Sequence, residues 1–352
     1  MRSRVAIFVA LVAGCLMLGT GWVVVAAMRD DSTTSTARVK LVKPAEPAAA
    51  EPAAAEPAAD TGGRPAPKGP PTGLLVRAVD PSDTPLNGHL TQVALDGGPR
   101  DASVQPLACR RVHMAGGRGL CLMLAPSVLD YRARIFDERF RVRHELKLNG
   151  VPSRARVSPS GRWGAFTLFV NGHSYAVDGG FSTATTIVDM ESGEPVGNLE
   201  DFKAYRDGDR IEAPDVNYWG VTFAADDDRF YATLATGGQR YLVEGSLSKQ
   251  EVRVLRENVE CPSLSPDENR IAYKKLVGGE GEWRLHVLDL RTMRDTILSE
   301  PRSIDDQAEW LDGRTVLYSD GRDLFSVRAD GTGKPKRLLA NADSPATLRG
   351  RS

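Results

Sequence analysis

The sequence lacks an excess of charge of either sign: Lys and Arg number 45 and Asp and Glu 46, a formal net charge of −1. A nucleic-acid binder would carry a basic footprint, and no such excess exists. The usual catalytic signatures are missing too. There is no G-x-S-x-G elbow; NGHSYA at 171–176 comes nearest, with Gly172-His173-Ser174, but it has no second glycine. No α/β segment is left over to house a hydrolase domain. The histidines, His89, His113, His144, His173 and His286, are scattered, without His-x-x-x-His or paired cysteines at zinc spacing. What remains is a chain of 352 residues, 41% hydrophobic and 26% charged, able to build a sizeable core.

The amino-terminal part reads differently from the rest. Met1-Arg2-Ser3-Arg4 is a basic start, and no charged residue follows from Val5 to Met28. That is roughly 24 positions, enough for a helix to cross ~30 Å of hydrocarbon. Arg2, Arg4 and the free amino terminus outweigh Arg29, which places the amino end in the cytoplasm and the rest outside. Residues 1–29 are thus expected to be a plasma-membrane signal anchor with a single pass. Two alternatives stay open: a cleaved signal, with Val24-Val25-Ala26 as the small-residue site and a secreted product, and a lipoprotein box at Val12-Ala13-Gly14-Cys15. Residues 30–72 repeat Ala-Glu-Pro-Ala-Ala and then run into GGRPAPKGPP. This stretch has too little apolar surface to fold and too much proline for helix, so a disordered linker is expected. Semi-extended, it spans on the order of 100 Å.

From about Gly73 the chain repeats itself. CPSLSPDENRIAY at 261–273 is a short apolar run, a Ser-Pro-Asp turn and a second apolar run, which is a strand, a turn and a strand. Related stretches are SRARVSPSGRWGAFTLF (153–169), NYWGVTFAADDDRFYATLA (217–235), DQAEWLDGRTVLYSD (306–320) and, more weakly, ACRRVHMAGGRGLCLML (108–124). The turns begin near Met114, Ser158, Ala224, Ser265 and Leu311, spaced by roughly 44, 66, 41 and 46 residues, the range of propeller blades. Two more strand-like segments follow each copy, such as WRLHVLDL (283–290) and RDTILS (294–299), making four strands per repeat. LLVRAV (74–79) and HLTQVALDGG (89–98) match second and third strands without a first, and SPATLRG (344–350) matches a first strand with nothing after it. The two ends are therefore expected to share one blade, which removes exposed sheet edges. The count is six blades: an all-β, six-bladed β-propeller over residues 73–350, with a transmembrane helix and a disordered linker before it.

The Ser-Pro-Asp-x-x-Arg-x-Ala turn of 265–272, its copies, and the DGTGKPKRLL pattern late in the chain resemble the WD40-like repeats of the TolB propeller family. The resemblance covers 73–350; the separate α/β domain of TolB has no counterpart, only the linker. GGFSTATTIVD, NLEDF, VNYWGVTF, RFYATL and YLVEG are similar to stretches of membrane-anchored or secreted actinobacterial TolB-like proteins. The resemblance implies the propeller fold and no particular activity.

Repeat position then singles out residues. In a propeller the first strand of each blade lines the central channel, and residues just before it sit at one mouth. Asp215, Asn217, Glu260, Asp305 and Asp306 occupy that place, and converging carboxylates would suit a cation such as calcium or a basic partner segment. Arg110, Arg111, Arg154 and Arg156 hold matching places in other blades, so internal ion pairing is the competing expectation. Cys109 and Cys121 flank the turn MAGGRG and fall across from each other on adjacent strands, the register of a disulfide outside the cytoplasm; two buried thiols are the alternative. Cys261 is left over and expected to be buried and inert. His286, inside WRLHVLDL, reads as a satisfied side chain on a blade face.

The spacing of 66 marks a blade with extra residues in 171–185 and 200–214. Long loops on a rigid scaffold are where binding concentrates, so Phe181, Phe202 and Tyr205 are expected either as anchors or as caps of the blade's own core. The combined reading is an extracytoplasmic, monomeric binding or scaffold module for a protein or cell-envelope component, with no catalysis. The rival is a glycan- or lactone-cleaving propeller that uses the carboxylates of the channel mouth.

Overall fold

The computed structural model describes residues 69–79, 87–95, 100–125, 130–171, 181–279 and 281–350. The expected anchor, Val5–Met28, the linker up to residue 68, and residues 172–180 of the first long loop lie outside the described residues. No helix among the described residues is long and apolar enough to cross a membrane.

Six sheets follow one another, five of four antiparallel strands and one of six. Blade 1 opens with Pro71–Ala78, and its innermost strand is the last of the chain, Ala342–Arg349, paired antiparallel with it. LLVRAV thus lies second in its sheet and SPATLRG first. The innermost strands of blades 2 to 6 are Arg111–Ala115, Val151–Val157, Asn217–Phe223, Glu260–Leu264 and Glu309–Trp310.

Each blade is buried on both faces, because every junction between neighbouring blades has its own apolar core. Leu122 and Ile135 of blade 2 meet Phe166 and Leu168 of blade 3. Leu285 and Val287 of blade 5 meet Trp310 and Tyr318 of blade 6. Leu317 and Leu324 of blade 6 meet Leu74 and Val76 of blade 1, which closes the ring. Near-continuous apolar runs in the middle strands follow from this two-sided burial.

The repeated turn also joins blades. Ser265 Oγ accepts from the Arg270 N–H at 3.0 Å and meets Asp267 at 2.5 Å, which fixes the turn. The residue five positions after the turn serine or its equivalent then reaches the next blade's turn. Trp163 Nε1 donates to Asp227 O at 2.8 Å, Arg229 Nη2 to Glu268 at 2.5 Å, and Arg270 Nη2 to Gly313 O at 2.7 Å. The Ser-Pro-Asp-x-x-Arg spacing is therefore an intra-turn and an inter-blade device at once.

The surplus of residues 200–214 is placed otherwise than its sequence position implies. It forms the strands Lys203–Arg206 and Asp209–Arg210, which extend blade 4, the former running parallel to the blade's outer strand Glu251–Glu257. The hydrogen-bonding edge of blade 4 takes up the insertion that follows blade 3.

Candidate functional site

The innermost strands point alternate side chains into the channel, and bulges select which. Register shifts fall between Pro152 and Arg154, Trp219 and Thr222, and Glu260 and Ser263. At the bulge the backbone enters the left-handed region in three blades: Gly220 (φ 64°), Cys261 (φ 48°) and Ser344 (φ 48°). Gly220 has no alternative, because a Cβ there would lie 2.6 Å from the Cα of Cys261.

At the mouth, Lys274 gathers the carboxylates. Its fully buried ammonium donates to Asp305 at 2.5 Å, lies 3.7 Å from Glu260 and sits over the Trp283 ring, 3.8 Å from the centroid. Trp283 Nε1 donates to Glu260 at 2.7 Å, and Arg240 is 3.2 Å from the same oxygen. Arg154 Nη2 donates to Asp305 at 3.0 Å. Burial would raise the Asp305 carboxyl, but Lys274 and Arg154 outweigh it and hold the group at about 2. Asp306 is buried and accepts from the Ser319 N–H at 2.9 Å; burial keeps its carboxyl above the usual range despite Arg111 and Arg154.

One step deeper, Arg156 of blade 3 crosses to blade 6, where Nη1 pairs with Glu309 and Nη2 donates to Ala308 O at 3.0 Å. His113 lies 3.5 Å from the same carboxylate. Burial would raise Glu309, and Arg156 and His113 bring it to about 2. His113 Nδ1 accepts from the Val157 N–H at 3.1 Å and Nε2 lies 3.0 Å from Arg156 Nη1; burial and Arg156 lower its pKa. Gln307 Nε2 donates to Val221 O at 3.0 Å and Pro262 O at 2.9 Å, tying blade 6 to blades 4 and 5. The cavity left among these side chains is about 30 Å³. The channel is plugged by its own charges.

The residues singled out by repeat position meet different fates. Asp215 is exposed and faces its own blade, accepting from Thr236 Oγ1 at 2.6 Å and the Gly237 N–H at 2.7 Å. Asn217 Oδ1 accepts from the Thr183 N–H of blade 3 at 2.7 Å. Glu260 and Asp305 share Lys274 rather than converge unpaired, so the calcium set does not assemble. Among the described residues no group of three His, Cys, Asp or Glu side chains is placed to hold a metal ion. Phe181 packs edge-on against Trp219 at 5.5 Å and Phe202 against Phe230 at 6.1 Å, so both rings pack on the blade cores. Tyr205 lies in the added strand opposite Arg210. Cys109 and Cys121 form a disulfide with Cα atoms 5.5 Å apart, yet the strand partner of Cys121 is Val112; Cys109 precedes the strand, bonded through its N–H to Gly88 O of blade 1. His286 meets Asp295 at 2.9 Å, and Cys261 is buried.

Lys274, Gln307 and Glu309 do not stand out in the sequence. Glu309 lies two residues after Gln307, at the start of the innermost strand of blade 6, and Lys274 comes from a second strand. The repeat alignment carries the signal for Glu309 once both inward positions are counted; nothing in it marks Lys274.

A second concavity lies at the outer rim between blades 2 and 3, a groove of about 440 Å³. Arg118, Arg139, Arg141, Arg143 and His144 line it with Asp137 and Glu191, over Phe136 and Met190. Asp137 accepts from the N–H groups of Arg139 and Arg141 and from the Arg143 guanidinium at 2.7 Å. Arg118 is 3.3 Å from Glu191, and His144 Nε2 is 2.8 Å from Glu191 O.

No protein-family model matches the chain, and no curated protein matches it by sequence. Solved structures share its fold. TolB from Acinetobacter baumannii is similar over 78% of this chain and 66% of its own, with 18% identity and a TM-score of 0.58, so the chain spans just under two thirds of that protein. A chain of the nidogen/laminin complex is similar over 78% of this chain and 97% of its own, with 10% identity and a TM-score of 0.53. A puromycin-hydrolysing peptidase of Mycobacterium tuberculosis is similar over 72% of this chain and 42% of its own, with 17% identity; its TM-score of 0.44 carries no argument about activity. In fold, the chain is a TolB-like six-bladed propeller.

Proposed function

We propose that the protein is a non-catalytic binding module, held outside the plasma membrane by Val5–Met28 and the Pro-Ala-Glu linker, that docks a protein or cell-envelope ligand through the outer surface of its propeller. The observation that carries this reading is the plugged channel. A cleft that hydrolyses needs a carboxylate available to substrate, and Asp305, Glu260 and Glu309 are paired with Lys274, Arg154 and Arg156. A network paired in this way makes a rigid frame, and a rigid frame with varied loops is a binding scaffold. The rim groove between blades 2 and 3 offers the ligand an arginine-lined surface and therefore favours an acidic one. Propellers of the same fold occur in TolB and in the nidogen/laminin complex, which supports a protein-contact role by analogy of fold alone.

Sedimentation of the purified propeller with isolated cell envelopes tests the reading, beside fractionation and protease accessibility of the full chain in cells. Expected are membrane fractionation, digestion from outside, and envelope binding that Arg139→Glu with Arg143→Glu reduces at least tenfold. Release of sugar or ring-opened lactone by the wild type, abolished by Asp305→Asn, would instead establish the hydrolase.

A further inference from the structure

Arg111, on the innermost strand of blade 2, has the one channel guanidinium that makes no hydrogen bond or ion pair among the described residues. Arg154 lies close enough to disfavour its charge, and loss of hydration in the channel does so more strongly. Two carboxylates, Asp306 and Asp343, favour its charge without an ion pair to it, and Asp306 borders the cavity as well. Asp343 takes Arg77 through both oxygens, and Asp306 accepts from the Ser319 N–H. Ser344, 9% exposed, borders the same cavity with an unpartnered Oγ, on a backbone held at φ 48°.

We propose that this cavity of about 30 Å³ is a binding site for one small monovalent anion, chloride or a formate-sized carboxylate, held by Arg111, Arg154 and the Ser344 hydroxyl. All three groups donate, and guanidinium groups accept nothing, so an anion satisfies them together. The volume exceeds what one water needs, roughly 10–15 Å³. Ser344 belongs to blade 1, Arg111 to blade 2 and Arg154 to blade 3. The anion therefore bridges three successive blades, beginning with the one that closes the ring.

The test is thermal melting of the full chain as sodium gluconate is exchanged for sodium chloride at constant ionic strength. A ligand that binds only the folded state raises the melting temperature by mass action, so a saturable rise is expected with chloride, bromide and formate. Arg111→Gln should abolish the rise, measured against the variant's own melting temperature in gluconate. Ser344→Ala, a milder change that keeps the fold if Arg111→Gln does not, should shift the chloride midpoint at least threefold higher. Crystals grown in bromide should show an anomalous peak beside Arg111. No chloride effect, a parallel rise in wild type and both variants, or bromide-saturated crystals without that peak would each overturn the proposal.

Discussion

Arg156 of blade 3 and Glu309 of blade 6 are ion-paired across the channel, joining blades on opposite sides of the ring. Both side chains are about nine-tenths buried. Breaking a buried pair by removing one partner leaves an uncompensated charge and costs about 3–5 kcal/mol. Glu309→Gln and Arg156→Leu are each expected to destabilise by that order in urea melts. The double variant should cost less than the two singles combined. Additive losses would mean the pair contributes no coupling.

Deleting residues 342–352 looks harmless, because they form a tail. The structure makes them the innermost strand of blade 1, with Ala346 fully buried and Asp343 holding Arg77. Loss of the strand exposes an edge and opens the blade 1 core. The truncated chain is expected to lose cooperative melting by circular dichroism, and an unchanged transition would show that the ring does not depend on its closure.

Acid should destabilise the fold in two steps. His113 and His286 have pKa values below 6.5 in the folded state, chiefly through burial. The unfolded chain therefore binds more protons below about pH 6.5, and stability falls as pH drops from there toward the lowered values. Glu309 and Asp305 are depressed to about 2; their contribution is present above the ordinary carboxylate range and is lost as pH falls through about 2. Glu200 runs the other way. Burial lifts it to about 7 despite N–H groups donated by Thr185 and Tyr218, so it weakens the fold as pH rises from 4.5 to 7. Urea midpoints between pH 8 and 3 should show the histidine step vanish in part with His113→Gln, and Glu200→Gln should flatten the region between pH 5 and 7.

The Cys109–Cys121 disulfide closes a loop with a sequence separation of 12. A loop of that length restricts the unfolded chain by about 3 kcal/mol in the chain-entropy account. Cys109→Ser with Cys121→Ser is expected to lose about 2–3 kcal/mol in urea melts. Free-thiol titration of the denatured, unreduced protein should find one fewer pair than the reduced control.

The sequence by itself determined the architecture. Strand–turn–strand copies spaced by roughly 41 to 66 residues, three of them with an arginine or tryptophan five residues into the turn, are local signals, and each describes a contact within one blade or to the next. The unmatched strands LLVRAV and SPATLRG pointed to their shared sheet for the same reason, since a blade short of one strand advertises what it lacks. The contents of the channel were a matter of tertiary structure. Asp215, Glu260, Asp305 and Asp306 look equivalent by position, but Asp215 faces its own blade at Thr236, Asp306 turns back to Ser319, and Glu260 and Asp305 share Lys274. Lys274 reaches the mouth from a second strand, and Arg156 finds Glu309 some 150 residues away. Repeat position gives a residue's blade and depth. Which charge it meets depends on backbone twist and on what the opposite blade presents, and neither is written in any one repeat.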